Sequence, residues 1–290
     1  MKQIQRFFWR EIPFLFSVPA VMWQVCFLIA PMLIIFYFSI VNFSNSWFPI
    51  TLYSYYQLLR FSIFTIIARS LFFALITAIT CFFIAYPVCY YLAFRAARLK
   101  NILLFFLTLP FWVNFLVQVY AWYFLLEYNG LVNSFLLWIG LIKEPLLIAN
   151  SLFAIYLVMV YCYLPFMIMP LYSILEKFDK RLLEASADLG ATPWQTFRRI
   201  TLPLSLPGIK TGLLLVLIPA FGEFVIPSLL GGSRYMFVGS LISYYFLVER
   251  NNNQGAAFTC LSALLLFAII IIFYGSRHLL HLATWRRKRV

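Results

Sequence analysis

The chain has 290 residues, of which 64% are hydrophobic, 20% aromatic and 11% charged, and its mean hydropathy is +0.92. That apolar share is too high and that charged share too low for a soluble globular domain, so the composition specifies an all-α polytopic membrane protein. The net charge of +13 follows the bias of basic residues toward the cytoplasmic side and their attraction to anionic membrane lipid, and it calls for no nucleic-acid partner.

Apolar runs long enough for a spanning helix of ~20 residues occur about six times along the chain: Phe14 to Val41, Ser70 to Phe94, Ile102 to Leu126, Pro145 to Leu175, Thr211 to about Leu230, and Gly255 to Ser276. A basic segment precedes the first run. That run is long and lacks a small-residue cleavage site, so it reads as an uncleaved first helix rather than a secretory signal.

Between the runs, one set of segments carries Lys2, Arg6, Arg10, Arg95, Arg98, Lys100, Lys177, Lys180, Arg181, Arg198, Arg199, Lys210, Arg277, Arg286, Arg287, Lys288 and Arg289. The alternate set carries Arg60, Arg69, Lys143, Arg234 and Arg250, which completes the 22 Lys and Arg. The alternation places both termini and the segment from Glu176 to Lys210 in the cytoplasm. Arg60 and Arg69 fall on the outer side.

The cysteines Cys26, Cys81, Cys89, Cys162 and Cys260 all lie within expected spans, without a CxxC pair or a histidine neighbour. They read as small apolar side chains of a helix bundle, not as metal ligands or disulfides. His278 and His281, one helical turn apart beside the basic tail, read as interfacial side chains. No phosphate-binding loop, nucleophile elbow, HExxH helix or paired carboxylate site is present: Gly208-Ile209-Lys210-Thr211 has an Ile where a phosphate cradle needs Gly. The chain is therefore expected to hold no cofactor or metal and to hydrolyse no ATP itself.

The segment Glu176 to Lys210, EKFDKRLLEASADLGATPWQTFRRITLPLSLPGIK, is charged and patterned in a chain that is otherwise apolar. Asp179 can cap the first free N–H groups of a short helix, and Gly190 tolerates the left-handed conformation that ends one. Thr192 followed by Pro193 repeats the start signal, so a second helical turn or two should run to about Ile200, with Pro203 and Pro207 ending it.

Within this segment Glu184, Ala185, Ser186, Gly190, Ile200, Leu202 and Pro203 match the pattern Glu-Ala-(Ala/Ser)-x3-Gly-x9-Ile-x-Leu-Pro, which resembles the EAA loop of ABC importer permeases. Ser186 departs from the usual second Ala. Small residues at 185–187 and 190 let a helix backbone sit deep in a partner's groove, with Glu184, Lys180, Arg181, Arg198 and Arg199 as polar anchorage.

Three blocks are similar to spermidine/putrescine transport permeases: Pro165 to Ile209, Leu109 to Trp122 and Ile218 to Gly232. The resemblance implies a MetI-like, type I ABC importer permease fold of about six transmembrane helices, with residues 1–290 forming one permease domain in the bacterial inner membrane. It also implies that the loop docks on a homodimeric ABC ATPase, and that the partners include a second permease subunit and a periplasmic or extracytoplasmic substrate-binding protein. Ferric iron and thiosulfate are the rival substrates within the class. An ion-driven secondary transporter or channel is disfavoured, because the spans offer one clear carboxylate and no evident repeat.

That carboxylate is Glu223. Counted from Thr211 at ~1.5 Å per residue it lies about 18 Å along the fifth span, where it should face either an aqueous path or a basic partner. Pro219, Gly222 and Pro227 around it predict a kinked or broken helix. Trp112, Tyr120, Trp122 and Tyr123 of the third span are candidate cation–π faces for a polyamine, although most rings in so aromatic a chain pack against neighbours.

Overall fold

The computed structural model describes residues 18–41, 51–96 and 99–287, with the backbone alone for Ser233 and 273–287. Phe14 to Ser17, Lys2, Arg6, Arg10, Arg98, Lys288 and Arg289 lie outside the described residues, as do the side chains of Arg277, His278, His281, Arg286 and Arg287. Among the described residues every regular element is helical. Five helices have the length and apolarity to cross a membrane: α1 (Val18–Ile40), α3 (Phe61–Phe94), α7 (Leu152–Glu176), α9 (Pro193–Phe221) and the Asn252–Ile272 part of α12 (Asn252–Arg287). A sixth apolar stretch is a bent pair, Lys100–Trp112 and Phe115–Trp138, whose two arms meet at 94°; it contains α4 (Lys100–Thr108), α5 (Phe115–Leu126) and α6 (Leu131–Trp138). Shorter pieces are α2 (Tyr53–Gln57), α8 (Arg181–Asp188), α10 (Val225–Leu230) and α11 (Val238–Val248).

Two compact units emerge. In the first, built from residues up to 63 and from 242 onward, α1 packs against α12. Polar ties gather near one end of that pair: Tyr55 Oη donates to Ser39 Oγ at 3.0 Å, and Asn253 Nδ2 donates to the Val41 carbonyl at 2.8 Å. Ser39 is buried, so each tie removes a polar group that an apolar surround would otherwise strand.

The second unit, Phe64–Leu241, is organised around α7. Ile155, Val158, Met159, Met167, Ile168, Leu171 and Leu175 are all within 2% of full burial. A stripe of small residues on α3, Ala74, Ala78, Cys81, Ala85 and Cys89, is fully or nearly fully buried. At helical spacing such residues let two backbones approach closely. The thiols of Cys81 and Cys89 donate to the carbonyls of Val160 and Ile168, at 3.6 and 3.5 Å. Both residue numbers rise together, so α3 and α7 run parallel. All five cysteines are free thiols.

On another side α9 runs antiparallel to α7. A Cβ at Gly208 would lie 3.0 Å from the Pro170 carbonyl, and one at Gly212 would lie 2.5 Å from Met167 Sδ. Glycine is what allows this crossing.

The expected span boundaries shift in several places. α3 begins at Phe61 rather than Ser70 because Arg69 does not interrupt it: its guanidinium donates to the Met236 carbonyl at 3.5 Å and lies 5.9 Å from the Tyr235 ring. α7 begins at Leu152 rather than Pro145, where Ser151 caps it by accepting the Ala154 N–H at 3.1 Å. The third run, Ile102 to Leu126, is not one straight helix. It tightens into a 3₁₀ turn at Leu109–Trp112 and restarts at Phe115, where Asn114 Oδ1 accepts the Leu116 N–H at 2.9 Å.

Pro203 and Pro207 do not end the helix after Thr192. A π-helical turn at Phe197–Thr201 widens the ladder, with the Leu202 N–H reaching the Phe197 carbonyl five residues back. This accommodates the N–H that Pro203 lacks. The same device precedes Pro31, after the π turn Val25–Ile29 in α1. α9 thereby becomes one rod from Pro193 to Phe221, 29 residues and so about 43 Å long.

Candidate functional site

Two places in the second unit concentrate polar and irregular features: the segment 176–210 and the breaks in the fifth and third apolar runs.

The segment 176–210 follows its local signals closely. α8 spans Arg181–Asp188, and Asp179 Oδ1 accepts the Arg181 N–H at 3.0 Å. Gly190 stands at φ +75° with nothing within 4 Å of its missing Cβ. It was chosen for backbone conformation and not for space. Thr192 and Gln195 form a reciprocal capping box, with bonds of 3.3 and 2.9 Å, and Pro193 occupies the first turn.

Of the matched residues, Glu184, Ala185, Gly190 and Pro203 are exposed, Ile200 and Leu202 are half-buried, and Ser186 is buried. Leu189 and Trp194 are large apolar side chains left 87% and 67% exposed. Lys180, Arg181, Arg198 and Arg199 are exposed as well, so the segment offers solvent both apolar and basic side chains, the two kinds that protein-docking patches combine. Trp194 also stacks on Phe197, centroids 5.4 Å apart, and Phe197 meets Tyr86 of α3 edge-on at 5.5 Å. At the start of the segment Glu176 pairs with Lys100, whose ammonium lies 5.7 Å from the Tyr172 ring centre.

The fifth run is broken as expected. α9 ends at Phe221 and the helix resumes as α10 at Val225. Glu223 sits in the gap, 7% exposed. It follows the full length of α9, because that helix starts at Pro193 and Thr211 lies inside it, so the count from Thr211 does not place it. Its Oε1 accepts the Val225 and Ile226 N–H groups at 2.8 and 3.3 Å, and its Oε2 accepts the Tyr163 hydroxyl of α7. The carboxyl group thus caps α10, meeting two of that helix's free N–H donors. No basic side chain is among these partners, so of the two alternatives for Glu223 the ion pair has no counterpart among them.

The gap is tightly enclosed. A Cβ at Gly239 of α11 would come within 2.2 Å of the Gly222 carbonyl oxygen. The α11 start is itself fixed by Ser70 of α3, which is fully buried and whose Oγ accepts the Val238 N–H at 2.8 Å.

The break in the third run is satisfied in a related way. Gln118 of α5, 9% exposed, donates to the Pro110 carbonyl, and its Oε1 lies 4.0 Å from Cys162 Sγ. Cys162 and Tyr163 are consecutive on α7, so one turn of that helix touches the polar groups at both breaks. α10 packs on both α5 and α7.

The four candidate aromatics are not among the partners of Glu223. Trp112 is 82% and Tyr120 47% exposed, whereas Trp122 packs edge-on against Tyr161 at 5.2 Å and Tyr123 against Phe124 at 5.9 Å. Phe111 is the ring of the break that reaches α7, 4.9 Å from Phe166. Tyr163, Gln118 and Ser70 were missed from the sequence. Each is an uncharged polar group in an apolar run, and the partners of Tyr163 and Ser70 lie far along the chain; the position of a polar residue in a span is the one available signal.

Residues 85–282 match the model of the family described as binding-protein-dependent transport system inner membrane component. Over 182 residues the chain is 43% identical to the spermidine/putrescine transport system permease protein PotB of Haemophilus influenzae, a match covering 63% of this chain and 64% of that protein. The PotB protein of Escherichia coli is 41% identical over 184 residues, 63% of this chain and 67% of its own. Among solved structures, a bacterial ABC transporter involved in the import of the acidic polysaccharide alginate superposes with a TM-score of 0.76 at 17% identity, over 95% of this chain and 98% of that one. At that identity the likeness concerns the fold.

Proposed function

The chain belongs to the family of binding-protein-dependent transport system inner membrane components, and from that premise we propose that it is a permease subunit of an ABC importer for polyamines, spermidine or putrescine. Residues 1–290 act in this reading as one multi-pass permease domain of the bacterial inner membrane, with both termini and the 176–210 loop cytoplasmic. The opposed directions of α7 and α9, the common direction of α3 and α7, and the distribution of Lys and Arg favour that topology. The partners are a homodimeric ABC ATPase, which performs the hydrolysis, a second permease and an extracytoplasmic substrate-binding protein.

The observation that carries the reading is the continuity of α9. A single rod of about 43 Å joins the docking loop to the Glu223 gap, because the π turn at Phe197–Thr201 keeps the helix whole past Pro203. Closure of the ATPase dimer pushes on the exposed face of α8 at Glu184 and Ala185, and the buried Ser186 and the turn at Gly190 pass the push on from behind that face. Ile200, Leu202 and Pro203 carry the push into α9, whose far end moves the gap and α10. A polyamine ammonium passing the gap exchanges with the Tyr163 hydroxyl at Glu223, and Trp112, Tyr120, Trp122 and Tyr123 offer ring faces along the way. The substrate class draws on the PotB relatives, which are spermidine/putrescine transport permeases.

The test is ATP-dependent uptake into proteoliposomes holding the complete importer, with spermidine and putrescine run against ferric iron and thiosulfate. Uptake of a polyamine supports the reading. Uptake of iron or thiosulfate instead overturns the substrate, and uptake independent of ATP overturns the importer itself. Glu223→Gln should impair uptake of a cation while leaving ATP hydrolysis intact, and unchanged polyamine uptake would remove Glu223 from the path.

A further inference from the structure

The coupling segment contains a contact that its motif does not call for. Ser186, where the resembling pattern usually has a second Ala, is 6% exposed although both its neighbours are exposed. Its Oγ donates to the Leu183 carbonyl at 2.9 Å and lies 2.8 Å from Thr196 Oγ1 on the first turns of α9. Ser186 shares the backbone link from the Ala191 N–H to its own carbonyl, 3.0 Å, but that bond holds the connecting turn and not the angle between two helices. Thr196 is followed at once by Phe197, which rests on Tyr86, and Tyr86 Oη in turn bonds Ser205 Oγ of α9 at 3.2 Å. The hydroxyl pair therefore stands between a short exposed helix and a rod that is anchored to α3 and α7.

We propose that the Ser186–Thr196 hydroxyl pair is a positioning element that fixes the angle of α8 to α9, so that displacement of α8 by the ATPase is delivered to the rod rather than lost in the turn around Gly190. The inference rests on the reading of α8 as the ATPase-docking helix. Two features give it force. An alanine at 186 cannot make the bond. The turn it braces, Leu189 to Ala191, centres on a glycine in the left-handed region with open space around it, a natural hinge if nothing spans it. Docking itself uses the exposed faces of Glu184, Ala185, Leu189 and Trp194, which the buried pair does not touch.

The experiment uses the complete importer in proteoliposomes. It compares wild type with Ser186→Ala, Thr196→Val, the double variant and Thr196→Ser. The readout is the ratio of binding-protein-stimulated to basal ATP hydrolysis, which needs no knowledge of the solute. ATPase co-purification and thermal unfolding are measured alongside.

The loss of one hydrogen bond should lower the ratio roughly two- to ten-fold in each single variant. The double variant should be no worse than the singles because both remove the same bond, and Thr196→Ser, which keeps the hydroxyl, should behave as wild type. ATPase retention should be unchanged throughout. An unchanged ratio in both single variants, additive losses in the double, or loss of the ATPase from Ser186→Ala overturns the proposal. A photo-cross-linking residue at Leu189 tests the docking reading separately. Its failure to capture the ATPase in the otherwise wild-type complex removes that reading and the proposal with it, whereas capture together with an unchanged ratio removes the proposal alone.

Discussion

The loop at 176–210 and the gap at Gly222–Phe224 lie at opposite ends of the same helix and are stabilised by opposite means. In the loop, the helix caps are closed by residues two or three positions away, Asp179 with Arg181 and Thr192 with Gln195, and the side-chain tie of α8 to α9, Ser186 to Thr196, spans ten residues. In the gap, the local cap of Glu223 on Val225 and Ile226 is joined by contacts from afar: Tyr163 of α7 on Glu223, and Gly239 of α11 against the Gly222 carbonyl. A region exposed to water can leave its polar groups to solvent, so short-range caps suffice. A region buried in an apolar surround must have every polar group met by protein, and the chain must fold back on itself to do so.

The largest expected effect that separates the two is at Gly239. Its Cβ position meets backbone at 2.2 Å, which no side-chain adjustment relieves, so Gly239→Ala should go well beyond the ~1–3 kcal/mol of ordinary overpacking and sharply lower the yield of folded protein in detergent. Gly212→Ala meets the flexible Met167 Sδ at 2.5 Å, and thermal unfolding should show a clearly smaller loss. Equal losses would mean that the gap is no more rigid than the α7–α9 crossing.

Next in size is Glu223→Leu. It leaves the Val225 and Ile226 N–H groups and the Tyr163 hydroxyl without their acceptor, at about 1–3 kcal/mol for each buried group left unmet. Tyr163→Phe removes a donor and leaves the carboxylate with its two N–H partners, so it should cost about 1–3 kcal/mol in all. Denaturation of the purified complex that ranks Tyr163→Phe above Glu223→Leu would show that the hydroxyl, not the cap on α10, holds the gap.

The same contrast decides how much was legible beforehand. The caps of α8 and α9 and the turn at Gly190 could be read from single residues, because their partners are adjacent in sequence. The break near Glu223 was also readable, since Pro219, Gly222 and Pro227 weaken one stretch of helix whatever lies around it. The bend at 109–114 carries comparable signals in Pro110 and Asn114, yet an unbroken apolar run hid them, because hydropathy does not register direction.

Proline misled in the other direction. Pro203 and Pro207 read as an end, whereas a π turn upstream keeps the rod intact, and that solution depends on how the ladder is widened at Phe197–Thr201. Arg69 shortened the expected second span for a similar reason: its partners, the Met236 carbonyl and the Tyr235 ring, are distant in sequence. The side chains nearest the candidate path follow the same rule. Glu223 was found because it is a carboxylate, while Tyr163 and Gln118, uncharged polar groups in apolar runs, gave no sign of the partners they would meet.

The smallest effects belong to the loop, where removing a local cap leaves groups that water can reach. Thr192→Ala opens the capping box and should cost about 1 kcal/mol, and Gly190→Ala forces a left-handed alanine at about 1–2 kcal/mol. Neither should change folded yield in detergent, because α8 is peripheral and the second unit is held by α3, α7 and α9. Both should instead appear in the assembled importer as weaker retention of the ATPase on dilution, since a frayed α8 must be ordered again each time it docks. If Gly190→Ala lowered the unfolding temperature of the isolated permease as much as Gly239→Ala, the loop would be part of the packed unit and the division between local and distant stabilisation would fail. If it altered ATPase retention alone, the loop's stability would be tied to docking, as a helix left exposed until its partner arrives requires.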